Sequence, residues 1–370
     1  MMKQKKNIHS NIFKSLIYNN RGIALFVSIA LVSIMVPVVI EANKNAFRTV
    51  ESMATTRHRH SATYIAKFGI RIAMNILIED APNTSPDSLR NICEDPEFIA
   101  EILTEIGSQF EVPKSLSIKD ELGKLQINAL IKPPNTLDPD QELLWDRALR
   151  TCVEKHGDEN QINETRSIIQ SVADWLDEND DERPSGAEKS YYESMDIPKK
   201  CRNGFFKSID ELFDVKGFTS SIADCIQYRN NATIYGAQIS KDKINYTGLI
   251  NIRSADVPVL TLLFPEEDLD RFEKAQIIHS YRLEKEDENF KNSIDNNDWY
   301  VMALNEEGYG AENALKKIIM PADQMKTVGY FRIVSTATKS GITKTISAVV
   351  KREKVKNKWR CIILTWEDVS

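Results

Sequence analysis

The stretch NNRGIALFVSIALVSIMVPVVIEANK (residues 19–44) decides how the rest of the chain is read. Residues 23–40 are eighteen uncharged and mostly apolar positions, the short end of what crosses a bilayer as a helix. The 22 residues up to and including Gly22 hold five basic side chains (Lys3, Lys5, Lys6, Lys14 and Arg21) and no acid, which places the N-terminus on the cytoplasmic side. A secretory signal peptide ends in small residues at its cleavage site. Val39, Ile40, Glu41 and Ala42 offer no such site. The helical pattern also continues. After Pro37 no Gly or Pro occurs until Gly69, and Phe47, Val50, Ala54, Ile65, Phe68, Ile72 and Ile76 recur mostly at three- or four-residue steps. Pro82 stops the pattern. One helix is therefore expected over about residues 23–80, about 85 Å at 1.5 Å per residue, apolar all round at first and amphipathic beyond.

Beyond that helix the chain has a globular composition. Of its 370 residues 42% are hydrophobic and 28% charged, and the formal net charge is −6. Without residues 1–22 the balance is 43 basic against 54 acidic residues, a net charge of −11. That excludes nonspecific nucleic-acid binding, which needs basic surface to displace counterions. The segment FIAEILTEIGSQF (98–110) reads as a helix, and KSLSIKDELGKLQINALI (114–131) as two short strands around a turn at residues 121–124. From about residue 138 to 240 helical signals dominate, in QELLWDRALRTCVEKH, ETRSIIQSVADWL and SIDELFDVKGFTSSIADCIQYR. TGLINIRSADVPVLTLLF (247–264) returns to a strand-then-helix pattern. VGYFRIVSTAT, TKTISAVVKRE and KWRCIILTWED are three alternating runs, split by Ser340-Gly341 and by a lysine-rich turn near Asn357, and predict an antiparallel meander.

No catalytic constellation emerges. The five histidines are scattered, and His58 and His60, two apart, point to different sides of a helix. There is no G-x-S-x-G and no phosphate-binding loop, so an enzyme is not expected. The five cysteines show no CxxC spacing and no zinc site. They admit both a disulfide, with Cys201 and Cys225 the candidate pair, and buried free thiols.

The acidic run DENDDERPSGAE (177–188) carries more. Asp177, Asn179 and Asp181 stand at positions 1, 3 and 5, and Glu188 at position 12, the oxygen-ligand spacing of a calcium loop. Glu182 occupies the position that normally needs glycine, and Pro184 is also foreign to such loops. Seven acids lie between Asp174 and Glu188 against one Arg183, a density that calls for a counter-ion. The plainer reading is a solvated acidic loop after a helix. Around Gly217, Leu212, Val215 and Phe218 suggest a helix-hairpin-helix turn. With Asp210, Glu211 and Asp214 alongside, a packing role is favoured over phosphate binding.

Arg21, Gly22 and the apolar run from Ile23 resemble the class III leader of type IV prepilins, which implies processing between Gly22 and Ile23 by a prepilin peptidase and an N-methylated Ile23. Further segments resemble the K minor pseudopilin family of bacterial type II secretion systems: YIAKFGIRIAMNIL, DELGKLQINAL, VADWLDENDDERPSGAEKSYYES, FKSIDELFDVKGFT, INIRSADVPVLTLLFP and RCIILTWED. The resemblance covers residues 21–368. It implies an α+β fold: a pilin-like head, made of a long N-terminal helix and an antiparallel sheet, with a large all-α domain inserted. The expected division is a leader (1–22), a transmembrane and assembly segment (23–40), the amphipathic continuation of the helix (41–82), the first part of the head (83–135), the inserted domain (136–245) and the second part of the head (246–370).

The resemblance further implies a nonenzymatic tip subunit of the pseudopilus, single-pass in the inner membrane with a periplasmic head, that supports assembly and protein export. Its partners would be the I and J minor pseudopilins, other pseudopilus subunits, prepilin peptidase, and the secreted substrate or the outer-membrane channel, with no nucleic acid. Bound calcium is implied too, which favours Asp177, Asn179, Asp181 and Glu188 as ligands. Most pilin-like subunits carry Glu at the fifth mature position; here it is Val27, which fits a subunit with none above it. The competing reading is an uncleaved single-pass envelope protein with a binding or sensory head. A DNA-uptake pseudopilin using the Gly217 turn is a further alternative.

Overall fold

The computed structural model describes residues 20–83, 85–156, 161–240, 243–310, 317–322, 324 and 328–369. Most of the expected leader, residues 1–19, lies outside them. The chain divides into two compact units, Met1–Ala62 with Lys339–Ile342, and Thr63–Thr338 with Thr343–Ser370.

The expected long helix is one α-helix, Asn20–Asp80, which continues through Pro37. In its first unit the apolar side chains are open to the surroundings, with Phe26 74% and Ile34 65% exposed. An uncharged surface of that kind has no protein partner here and suits lipid. It is the one helix among the described residues long and apolar enough to cross a membrane. By length and composition this helix fits a membrane anchor at the N-terminal side of a folded head.

In the second unit the same helix becomes a packing element. Ala66, Ile70, Ala73 and Leu77, spaced for one helical face, are buried against Ile118, Phe331, Ile333, Ala348 and Val350. These strand residues belong to a four-stranded sheet ordered Ser115–Asp120, Val328–Lys339, Ile342–Val355, Lys358–Asp368. The outer strands pair antiparallel with their neighbours, Ile118 opposite Ile333 and Arg352 opposite Cys361. Gly69 lets the helix lie close to the sheet: a Cβ there would sit 2.8 Å from Pro113 Cγ and 3.1 Å from Ser335 Cβ. The short helices Pro86–Glu94 and Pro96–Gly107 add Leu89, Ile92, Ile99 and Leu103 to this core.

The three C-terminal strands are as the alternation predicts. The strand pair expected within residues 114–131 is not a hairpin. Ser115–Asp120 pairs with Val328–Lys339, and the two-residue strand Leu125–Gln126 pairs parallel with Ala232–Thr233. Between them the chain makes a 3₁₀ turn, Glu121–Gly123, which the Asp120 side chain caps by accepting from Leu122 N at 2.9 Å. That turn sends the chain away from the sheet into a helical body.

The helical body is built on Pro139–His156 and Gln161–Leu176. Its core runs without a break from Leu125 to Ile319 and includes Leu144, Trp145, Ile169, Ala173, Trp175 and Tyr192. The later helices Val257–Leu262, Arg271–Leu283 and Trp299–Glu306 contribute Leu260, Ile278 and Trp299 to the same core. Cys225 is disulfide-bonded to Cys152, with Cα atoms 5.7 Å apart, and not to Cys201. The bond ties Pro139–His156 to the helix Ser220–Ile226. Cys201 is a buried free thiol, as is Cys93, and Cys361 is free and half-buried.

Candidate metal centre

The acidic run leaves the end of the helix Gln161–Leu176. Asp174 lies in its last turn and Asp177 directly follows it. The free carbonyls of a helix C-terminus repel carboxylates, so two aspartates there need a positive partner. The loop then returns, and Glu188 begins the short helix Lys189–Glu193, its Oε2 accepting from Lys189 N at 3.2 Å. Asp174, Asp177 and Glu188 converge, each offering one carboxylate oxygen within 4.8 Å of the others. All three are buried, at 0%, 0% and 1% exposure.

Of the residues singled out by spacing, Asp177 and Glu188 are brought together; Asn179 and Asp181 are not part of the cluster. Asn179 Oδ1 accepts from Asp181 N at 2.5 Å, and the Asp181 side chain is exposed. Asp174 is the member that loop spacing missed. Its signal was present, since Asp174 and Asp177 are three apart at a helix end and so share a face. Gly22 and Ile23, the expected processing positions, both lie within the long helix, with Ile23 57% exposed.

The loop is fixed from several sides. Gln170 Oε1 accepts from Ser185 N at 2.8 Å, and Ser167 donates to Ser185 O at 2.8 Å. Ala187 N donates to Asp174 Oδ2 at 2.8 Å, and Lys216 Nζ reaches Gly186 O at 2.8 Å. Gly186 passes so close that a Cβ would run into the Asp174 carboxylate. The turn at Gly217, with φ +82°, packs over Ile168 and carries Lys216 to this loop, so it supports the site as a packing element. Below the loop Trp175 meets Tyr192 edge-on at 5.1 Å and stacks on Phe206 at 6.4 Å.

Three carboxylates here face one guanidinium. Arg183 Nη1 donates to Asp174 Oδ1 at 2.5 Å and to Asp177 Oδ2 at 2.6 Å. Burial raises the Asp174 and Asp177 carboxyls, against the pull of Arg183. Glu188 is pushed up to about 7, by burial first and then by the charges of Asp174 and Asp177. Its Oε1 is buried with no hydrogen-bond partner. The Cys201 thiol alongside donates to the Glu188 carboxylate only weakly. An orphaned carboxylate oxygen beside two further carboxylates fits a hard cation with oxygen ligands.

Three comparisons with known proteins bear on this architecture. Residues 123–227 match a family model described as "Type II secretion system (T2SS), protein K". The chain is similar to the "Putative type II secretion system protein K" of Escherichia coli (strain K12), 22% identical over 261 residues, which are 67% of this chain and 76% of that protein. It also shares its fold with a chain in the crystal structure of the GspK-GspI-GspJ complex from the enterotoxigenic Escherichia coli type 2 secretion system. The TM-score is 0.51 at 15% identity, covering 86% of this chain and 99% of the other.

Proposed function

We propose that this chain, which carries a type II secretion system protein K domain and has the α+β pilin-like fold of that family, caps the tip of a type II secretion pseudopilus and supports assembly and protein export. The observation that carries the reading is where the matched domain sits. Residues 123–227 leave the sheet just after the strand Ser115–Asp120 and before the strand Val328–Lys339. A large body inserted into a pilin-like head is a poor floor for another subunit and suits a terminal position. Val27 in place of the usual Glu agrees with that position.

The family is a structural component of a secretion machine, and the proposal is nonenzymatic. The partners proposed are the I and J minor pseudopilins, as in the complex of the similar protein, together with other pseudopilus subunits. The anchor is placed in the inner membrane with the head in the periplasm, an oxidising compartment in which the disulfide Cys152–Cys225 persists. The division at residues 22, 40, 82, 135 and 245 belongs to the same proposal, although the packed core of the helical body extends on both sides of 135 and 245, from Leu125 to Ile319.

Mass spectrometry of the mature N-terminus tests it. The expected result is a chain that begins at methylated Ile23 and co-purifies with the I and J pseudopilins. An intact Met1 in cells with active prepilin peptidase would sink it and favour the uncleaved envelope protein.

Calcium at the acidic cluster is a second part of the proposal. Asp174, Asp177 and Glu188 would hold it, and the ion would neutralise buried carboxylates that a single arginine leaves in excess. Stabilisation by a cation that binds only the folded form grows with its concentration. A chelator is therefore expected to lower the melting temperature, and Asp177→Ala with Glu188→Ala to abolish the difference. A melting temperature indifferent to chelator would leave the loop a plain acidic turn.

A further inference from the structure

We propose that Arg183 is a built-in latch on this site, and that a calcium ion loads only by displacing its guanidinium, which releases the segment around Asn135. The inference rests on the calcium reading above. Asp174 Oδ2 is taken by Arg183 N at 3.3 Å and Ala187 N at 2.8 Å, and Asp177 Oδ1 accepts from Asn179 N at 3.3 Å. The other two aspartate oxygens, Asp174 Oδ1 and Asp177 Oδ2, are both held by Arg183 Nη1, while Glu188 Oε1 has no partner. A cation and the guanidinium therefore compete for the same two atoms.

Charge and geometry decide the direction of the exchange. The guanidinium satisfies two carboxylates and leaves Glu188 Oε1 without a partner. A divalent ion takes six to eight oxygens in loose geometry and accommodates all three carboxylates. It also brings two charges where arginine brings one. Arg183 has somewhere to go: its side chain is 18% exposed and lies on the surface loop, while Asp174 and Asp177 are fully enclosed. The aspartates stay on their helix and the arginine leaves.

The exchange has a consequence beyond the loop. Arg183 Nη2 also donates to Asn135 O at 3.0 Å, between the paired strands Ile131–Lys132 and Thr136–Leu137. In the latched state the guanidinium clamps that turn to the acidic loop. With calcium bound the clamp is lost, and Glu178 N to Asn135 Oδ1, at 3.1 Å, remains as the hydrogen bond between the two segments. Loading is thus coupled to the freedom of this turn, by the difference in affinity of the two states for the ion.

The test uses the full chain in detergent, calcium as the probe and two readouts. Titration calorimetry compares the native chain with Arg183→Gln. The variant is expected to bind calcium at least about tenfold tighter, as when a charge-assisted hydrogen bond no longer competes, and to melt lower in chelator. Phenylglyoxal labelling of the native chain, read at Arg183 by mass spectrometry, is expected to be slow in chelator and faster in calcium. It needs no variant and decides the matter if Arg183→Gln does not fold. Equal affinities with unchanged labelling overturn the latch and leave the calcium reading standing. Binding by the variant alone overturns the exchange, because calcium then never displaces the guanidinium in the native chain. Binding by neither overturns both.

Discussion

Breaking the Cys152–Cys225 bond should be among the most damaging changes available in the helical body. The two residues are 73 apart in sequence. In the chain-entropy account, cross-linking a loop of that length removes about 15 cal/mol/K from the unfolded chain, or about 4.4 kcal/mol at 25 °C. The bond closes a loop that contains the helix Gln161–Leu176, the acidic cluster and the Gly217 turn, so their ordering is what it assists. Replacing both cysteines with alanine adds no buried hydroxyl, and Cys152, 7% exposed, loses little else. The expected loss is about 4 kcal/mol in denaturant unfolding, or about 10 °C in melting temperature for a body of this size. Thiol counting in denaturant checks the premise first: three thiols before reduction, from Cys93, Cys201 and Cys361, and five after. Five thiols before reduction in protein purified without reductant would refute the pairing. A double-alanine variant within about 1 kcal/mol of the native chain would refute the entropic argument, with unfolded-state structure or enthalpy the remaining accounts.

Gly69→Ala should cost about 1–3 kcal/mol, because the new methyl must push Pro113 and Ser335 away from the helix–sheet contact; thermal unfolding would show it, and an unchanged midpoint would mean the sheet yields freely. Burial alone would raise the Glu121 carboxyl, but Lys124 at 2.7 Å and Arg332 at 2.8 Å, with Thr233, outweigh it and hold the carboxyl below its usual value. The stability it adds is complete above the unfolded value near 4.5 and is lost as pH falls through the folded value, so Glu121→Gln should flatten the acid limb of the pH–stability curve. At pH 7 the same variant should lose about 2–3 kcal/mol, less than a fully buried pair because both cations keep some contact with solvent.

The parts of the fold legible in the sequence are those whose signal is local. The long helix showed itself by uninterrupted three- and four-residue spacing, and the C-terminal strands by alternation around Ser340-Gly341 and Asn357. Ser340, Gly341, Lys356 and Asn357 all take positive φ at those turns. Pairing across the chain is not local. Ser115–Asp120 finds its partner more than two hundred residues on, and nothing in KSLSIKDELGKLQINALI distinguishes a hairpin from two strands that part company at a 3₁₀ turn. The disulfide failed to be read for the same reason, since Cys152 and Cys225 meet only because two helices pack. At the acidic cluster the loop spacing includes Asp177 and Glu188 and leaves out Asp174, which belongs to the preceding helix. A helix face and a loop spacing have to be read together to see all three.

The junction between sheet and helical body shows how a large insertion keeps a fixed relation to its host strand. Asp120 and Glu121 are adjacent, both buried, and turned to different partners. Asp120 Oδ2 accepts from Asn251 Nδ2 at 2.6 Å and Ser254 Oγ at 2.9 Å, in the segment that leads to the helix Val257–Leu262. Glu121 accepts from Arg332 on the neighbouring sheet strand and, at 2.6 Å, from Thr233 where the helical body pairs with itself. Two residues later Gly123 passes so close to that segment that a Cβ would lie 2.7 Å from Ser254 C. Apolar contact alone tolerates sliding, whereas a buried polar network is satisfied in one arrangement and costly in others. The two carboxylates therefore set the angle at which the helical body leaves the strand. For the tip position proposed above, a fixed angle matters more than the few kcal/mol an apolar junction would add.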